Sequence, residues 1–173
     1  MKRILLLILF IGGIDSYAQT KLDSLIVVKV NEYRIQKGLG ILLWENDLKP
    51  LTNQHLNYMV TTRTVPLDHS QTQKTKYGRT FKDFNERVEY ILKEEYIYVG
   101  EVCLAAQREG LNLDSLAGKM LDLWKNSPSH NECLLKDYVK GVYVVHKFAN
   151  TLNTSVGTFK DDYVYCVLNT ILK

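Results

Sequence analysis

Residues 124–135 read Trp-Lys-Asn-Ser-Pro-Ser-His-Asn-Glu-Cys-Leu-Leu. Trp124 closes an apolar helical stripe, Ser127-Pro128-Ser129 interrupts it, and a second apolar turn follows. Ser127 is predicted as an N-cap, its hydroxyl accepting from an otherwise unpaired amide of the next turn. Pro128 then falls at the first helical position, where a missing N–H costs nothing. His130 is thereby placed in the first turn of a short helix, at the positive end of its dipole. That position favours the neutral imidazole, the form that binds a metal or accepts a proton.

Working upstream, Leu116, Met120 and Trp124 line one face of a helix over 113–124 for which Asp114 is the expected cap. The run Tyr96 to Leu104 is rich in β-formers and reads as a strand, with Glu101 as a lone charge among apolar neighbours. Phe84, Val88 and Ile91 step by four and three within a weaker helix over 81–92. Before it, the Leu67-Asp68-His69-Ser70 turn follows Pro66, and the polar stretch 71–79 is expected as a solvated loop. Leu48, Leu51, His55, Tyr58 and Met59 mark a helix to about Thr62, capped by Asn46 or Asp47, with His55 read as a hydrogen-bonded core histidine. Leu22, Ile26, Val30 and Tyr33 mark the first helix, which Gly38 and Gly40 end. Ile41 to Trp44 is expected as a short buried connector.

Downstream, 141–148 and 163–172 are apolar on both alternating faces, the pattern of strands covered on each side. The stretch 149–162 between them is expected as a long hairpin connection. The architecture that follows is α+β, a small sheet sandwiched between helical layers.

Lys2 and Arg3, the apolar run Ile4 to Ile14 and the small residues Ser16 and Ala18 form the pattern of a signal peptide over 1–18. The expectation is one domain over 19–173, secreted or periplasmic, with no stable membrane span once the signal is removed. The net charge of +3 falls to +1 without Lys2 and Arg3, which gives no electrostatic case for nucleic acid. Cys103, Cys133 and Cys166 include no Cys-x-x-Cys pair, so they allow one disulfide in any of three pairings, or buried thiols.

Six pieces occur in a distinctive order: Asn31-Glu32-x-Arg34, Leu42-x-Trp44-x3-Leu48, Leu67-x-His69-Ser70, Gly100-Glu101, Trp124-x2-Ser127-Pro128-x-His130, and Gly141-Val142. Together they resemble the CAP superfamily (SCP-like; cysteine-rich secretory, antigen 5 and pathogenesis-related proteins), in its bacterial form, over roughly residues 22–171. The resemblance implies a three-layer α–β–α sandwich with a mainly antiparallel central sheet. It also implies a surface cleft that gathers His69, Glu101 and His130. The second glutamate of animal members corresponds to Ser127 here, and two usual asparagines are replaced by Val102 and Cys133.

Two imidazoles and a carboxylate suit Zn2+ or another divalent metal, with His69 and His130 as ligands and Glu101 as a third. No local ligand pattern such as His-Glu-x-x-His supports this, and on spacing alone each residue has an ordinary structural role. The leading expectation is a secreted, non-catalytic module binding a metal or small ligand. The alternative is a metal-dependent or Cys-His peptidase or amidase using Glu101, His130 and Cys133, which lies one helical turn beyond His130. A second alternative is a lipid-, sterol- or protein-binding domain, which the 11 tyrosines permit without indicating.

Overall fold

Leu22, Ile26, Val30 and Tyr33 form one buried stripe of helix α1, Gly13–Gln36, in a computed structural model of the chain. The structure describes residues 13–62, 67–76, 78–93, 96–154 and 156–173, with side chains from residue 21 onward. Most of the expected leader, and Pro66, lie outside the described residues. Gly38, at φ +74°, takes the left-handed turn that ends α1.

Strand β1 is Leu43–Trp44. The expected buried connector is corrected here: only Leu42 is buried, while Ile41, Leu43 and Trp44 are exposed. The reason is that β1 is an edge strand with a single neighbour. Asn31 fixes it, its side chain donating to the Leu42 carbonyl at 3.0 Å and accepting from the Leu42 amide at 2.8 Å. A 3-10 turn, Asn46–Leu48, then leads into α2, Lys49–Thr62. The 3-10 turn, of which Asn46 and Asp47 are members, is capped by Glu45, which accepts from the Asp47 amide.

Helix α3 is Phe84–Leu92, capped by Asp83, and β2 is Tyr98–Gln107. Helix α4, Leu113–Lys125, is capped by Asn112 instead of Asp114, because the Asn112 side chain reaches the Ser115 amide at 2.9 Å. Helix α5, Pro128–Leu134, starts where expected with Pro128 in its first turn. Ser127 holds the cap position but makes no side-chain capping bond; its carbonyl accepts from Asn131 at 2.8 Å.

Strands β3, Gly141–Thr154, and β4, Gly157–Leu172, pair antiparallel almost to the tip, with a bulge between Ala149 and Thr151. The expected connection is thus largely ladder: cross-strand pairs such as Leu152 with Phe159 extend the hairpin. The sheet order is β1-β3-β4-β2, with β1 parallel and the rest antiparallel.

Alternation along the strands sends Val102, Leu104, Val144, Val164 and Leu168 to one face, where α1, α4 and α5 cover them. Cys103, Val145, Tyr165 and Val167 face the other way, against α2 and α3. These are the three layers. Full burial of each large apolar side chain stabilises the fold by about 1.5–3 kcal/mol. All three cysteines are buried and free, so none of the disulfide pairings forms. Among the described residues no helix is long and apolar enough to cross a membrane.

Candidate functional site

Glu101 lies on β2 in register with Asn169 of β4 and faces the α2/α3 side, as Cys103 does two residues later. Its side chain is 1% exposed and both oxygens are engaged. Arg87 of α3 donates through Nη2 to Oε1 at 2.5 Å, and His69 meets the same oxygen through Nδ1 at 2.9 Å. Asn169 Nδ2 reaches Oε2 at 3.3 Å and also donates to the Gly100 carbonyl. Burial alone would raise the Glu101 pKa. The neighbouring His55, the Arg87 charge and the His69 hydrogen bond outweigh it and hold the carboxyl far below the usual range. Glu101 is therefore a carboxylate, and His69 donates its Nδ1 proton to it.

Arg87 ties the cluster together. Its Nη1 donates to the His69 carbonyl at 2.7 Å and to His55 Nδ1 at 2.8 Å. Gln71 Nε2 meets the same His55 nitrogen at 3.1 Å. A guanidinium only donates, so His55 Nδ1 accepts and the ring proton sits on Nε2, 3.6 Å from Glu101 Oε1. Burial, with smaller effects from Glu101 and Arg87, lowers the His55 pKa to about 4, keeping the ring neutral. The expectation of a solvated stretch over 71–79 is corrected at its start: Gln71 is buried because it serves His55 and pairs with Phe81.

His130 approaches from the other side. Its ring centroid is 6.1 Å from that of His69, in an edge-to-face arrangement. Burial, and then the neighbouring His69, lower the His130 pKa from its ordinary value, favouring the neutral ring. Helix α5 is seated closely because residue 100 has no side chain; a Cβ there would lie 2.6 Å from Cys133 Sγ and 2.8 Å from Thr170 Oγ1. Arg34, fully buried, braces its far end by donating to the Leu134 and Lys136 carbonyls at 2.6 and 2.9 Å. Tyr33 adds a hydrogen bond to Asn131 at 2.9 Å.

The predicted residues His69, Glu101 and His130 thus stand around one place, although Glu101 contacts His69 and lies behind it. Cys133 is directed elsewhere: its thiol neighbours the Tyr98 and Thr170 hydroxyls at 3.9 Å, and burial pushes its pKa up. A buried neutral thiol is a poor nucleophile.

A second set of ligand-type atoms, from His55, His69 and Cys103, lies within 4.8 Å of one another. The spacing could hold a metal, but the protonation pattern opposes it. His55 Nε2 carries the ring proton, His69 Nδ1 is committed to Glu101, and burial pushes the Cys103 thiol far above its ordinary pKa. The outer pair fits better: with Nδ1 on Glu101, His69 keeps Nε2 as the ring nitrogen with a lone pair, and its side chain is 40% exposed. A carboxylate behind a metal-binding histidine is the usual way to fix its tautomer. A separate hollow beside this turn, about 180 Å3, is bounded by Tyr58, Met59, Leu67, Asp68 and Ser70, and not by His69, Glu101 or His130.

Arg87, His55 and Asn169 are the members that the sequence reading did not assign to a site. Arg87 had a usable signal: it is three residues after Phe84 and four before Ile91, a charge on the apolar stripe. Asn169 had none beyond a polar residue in an apolar strand.

Comparison with known proteins agrees with the fold. An extracellular protein containing an SCP domain, from Bacillus anthracis, superposes with a TM-score of 0.58 at 20% identity, covering 90% of this chain and 41% of that one. An outer surface protein of Borrelia burgdorferi gives 0.55 at 20% identity, covering 88% and 94%. A cysteine-rich secretory protein of Staphylococcus aureus gives 0.53 at 16% identity, covering 90% and 39%. The chain therefore spans about two fifths of the first and third of these proteins. No curated protein sequence matches it. The sequence pattern of the cysteine-rich secretory protein family, CAP, matches residues 27–167, and the chain belongs to that family.

Proposed function

We propose that this chain acts outside the cytoplasm as a non-catalytic CAP module. In this reading residues 1–18 are removed on export, and the domain over 19–173 holds a divalent metal ion or small ligand through His69 and His130. The observation that carries it is the bond from His69 to buried Glu101, which commits Nδ1 and leaves Nε2 to the outside. Two imidazoles suit Zn2+, with the remaining positions open to water or to a ligand group. The extracellular and surface descriptions of the structural neighbours support the location.

Calorimetric titration of the purified chain with Zn2+ tests the site. The wild type is expected to give a saturable heat that His69→Ala and His130→Ala abolish. Equal heats in all three proteins would sink it. The same dyad supports a second reading, in which His69 Nε2 accepts a proton from water in a hydrolase. Cys133 does not fit the nucleophile of such an enzyme, so that reading depends on metal or water alone.

A further inference from the structure

The guanidinium of Arg87 is surrounded by acceptors of the kind that bind metal ions. They are a carboxylate oxygen (Glu101 Oε1, 2.5 Å), a backbone carbonyl (His69, 2.7 Å) and an imidazole nitrogen (His55 Nδ1, 2.8 Å). Arg87 and His55 are fully buried, and Glu101 nearly so. A carboxylate and a carbonyl are ligands of oxygen-seeking cations, and an imidazole adds a borderline donor. The side chain enters from α3, held over the Phe84 ring with its guanidinium carbon 5.2 Å from the ring centroid.

We infer that Arg87 is a resident cation standing in for a metal at the inner end of the cleft, and that it restricts metal binding to the outer His69/His130 pair. The guanidinium balances the Glu101 charge, so a second cation entering the cluster would meet repulsion and find Glu101 Oε1, the His69 carbonyl and His55 Nδ1 already taken. Glu101 then reaches the cleft only through His69. Any metal held outside meets nitrogen donors and water, which selects nitrogen-seeking ions such as Zn2+ over oxygen-seeking ions such as Mn2+. Arg87 is on this account a specificity-determining and positioning residue. The inference rests on the outer site proposed above, but its decisive measurement uses a different metal and a different residue.

The test is calorimetric titration of Mn2+ into the purified chain as wild type, Arg87→Ala and Arg87→Ala/Glu101→Gln, with helix content followed by circular dichroism. The wild type is expected to take up no Mn2+. Arg87→Ala is expected to gain a site at least tenfold tighter than any wild-type uptake, and adding Glu101→Gln is expected to remove it. A folded Arg87→Ala with no gain overturns the inference, as does Glu101-dependent Mn2+ binding by the wild type. Should Arg87→Ala be unfolded without metal, recovery of helix signal with Mn2+ supports the inference, and failure to recover overturns it. A wild type that ignores Zn2+ beside an Arg87→Ala chain that gains Mn2+ would remove the outer site while keeping the inner one. Zn2+ binding that depends on His69 and His130, without any Mn2+ gain, would do the reverse.

Discussion

The two faces of the central sheet are held together in different ways. Between the sheet and α1, α4 and α5 lies an apolar layer of Leu22, Ile26, Leu116, Met120, Trp124 and their neighbours, in which Asp23 and His146 form a buried pair at 2.7 Å. Between the sheet and α2 and α3 the apolar layer is interrupted by a knot of His55, Gln71, Arg87, Glu101 and Asn169. Apolar contacts are non-directional and tolerate exchange of similar volumes. A buried polar knot is different, because each member is stable only while the others are present. The face that is harder to rearrange carries Glu101 and the His69 bonded to it.

The largest expected effect comes from breaking that knot. Arg87→Ala leaves Glu101 buried without its cation and should cost about 3–5 kcal/mol, read from the midpoint of urea unfolding. An apolar truncation on the opposite face, Leu116→Ala, should cost about 2–5 kcal/mol. The comparison sharpens in the double variants. Arg87→Met/Glu101→Leu should recover much of the first loss, whereas Leu116→Ala combined with a truncation elsewhere in the apolar layer should be no better than the sum. Failure of the polar pair to show recovery would mean that the two faces do not differ as argued.

Acid should act mainly on the same face. His55 takes up its proton near pH 6.5 when unfolded and near 4 when folded. The unfolded chain thus binds more protons between those values, and stability present above the upper one is lost as pH falls toward the lower one. At about 1.4 kcal/mol per pH unit the loss approaches roughly 3 kcal/mol. Asp23 on the other face opposes it: burial, partly offset by His146, raises its pKa, so its contribution improves as pH falls. Urea midpoints between pH 7 and 4 should therefore fall less steeply in His55→Gln than in the wild type. Parallel profiles would show that the polar face is not the acid-sensitive one.

The smallest expected effect joins the two faces at their edge. Gly100→Ala would drive a Cβ into Cys133 and Thr170. The strain should cost about 1–3 kcal/mol. By moving α5 it should also weaken Zn2+ uptake at His130, measured in the same titration as the wild type. Unchanged uptake would mean that the seating of α5 does not set the cleft.

The apolar face was the legible one. Stripes at helical spacing, such as Leu22-Ile26-Val30-Tyr33, and two-sided strands report burial directly, and the three layers follow from them. Caps were less legible: Asn112 and Asp114 are both competent, and only the backbone path decides that Asn112 meets Ser115. The hairpin tip read as a connection because Thr, Asn and Gly are also turn residues. At the candidate site, His130 stood out from the Ser127-Pro128 helix start, whereas its grouping with His69 and Glu101 came from family motifs and not from spacing. Arg87 and Asn169 stayed hidden because their meaning depends on which strands and helices become neighbours, and single-sequence periodicity does not carry that information.

The brace made by Arg34 divides the cleft by origin. Glu101, His69 and Arg87 hold one another, while His130 owes its place to α5, whose end is fastened to the first helix by Arg34 and Tyr33. Loss of the Arg34 side chain would unfasten that end of α5, and with it the support that brings His130 to His69. A single substitution at Arg34 would therefore weaken the proposed site from a distance, without touching any residue that faces its ligand.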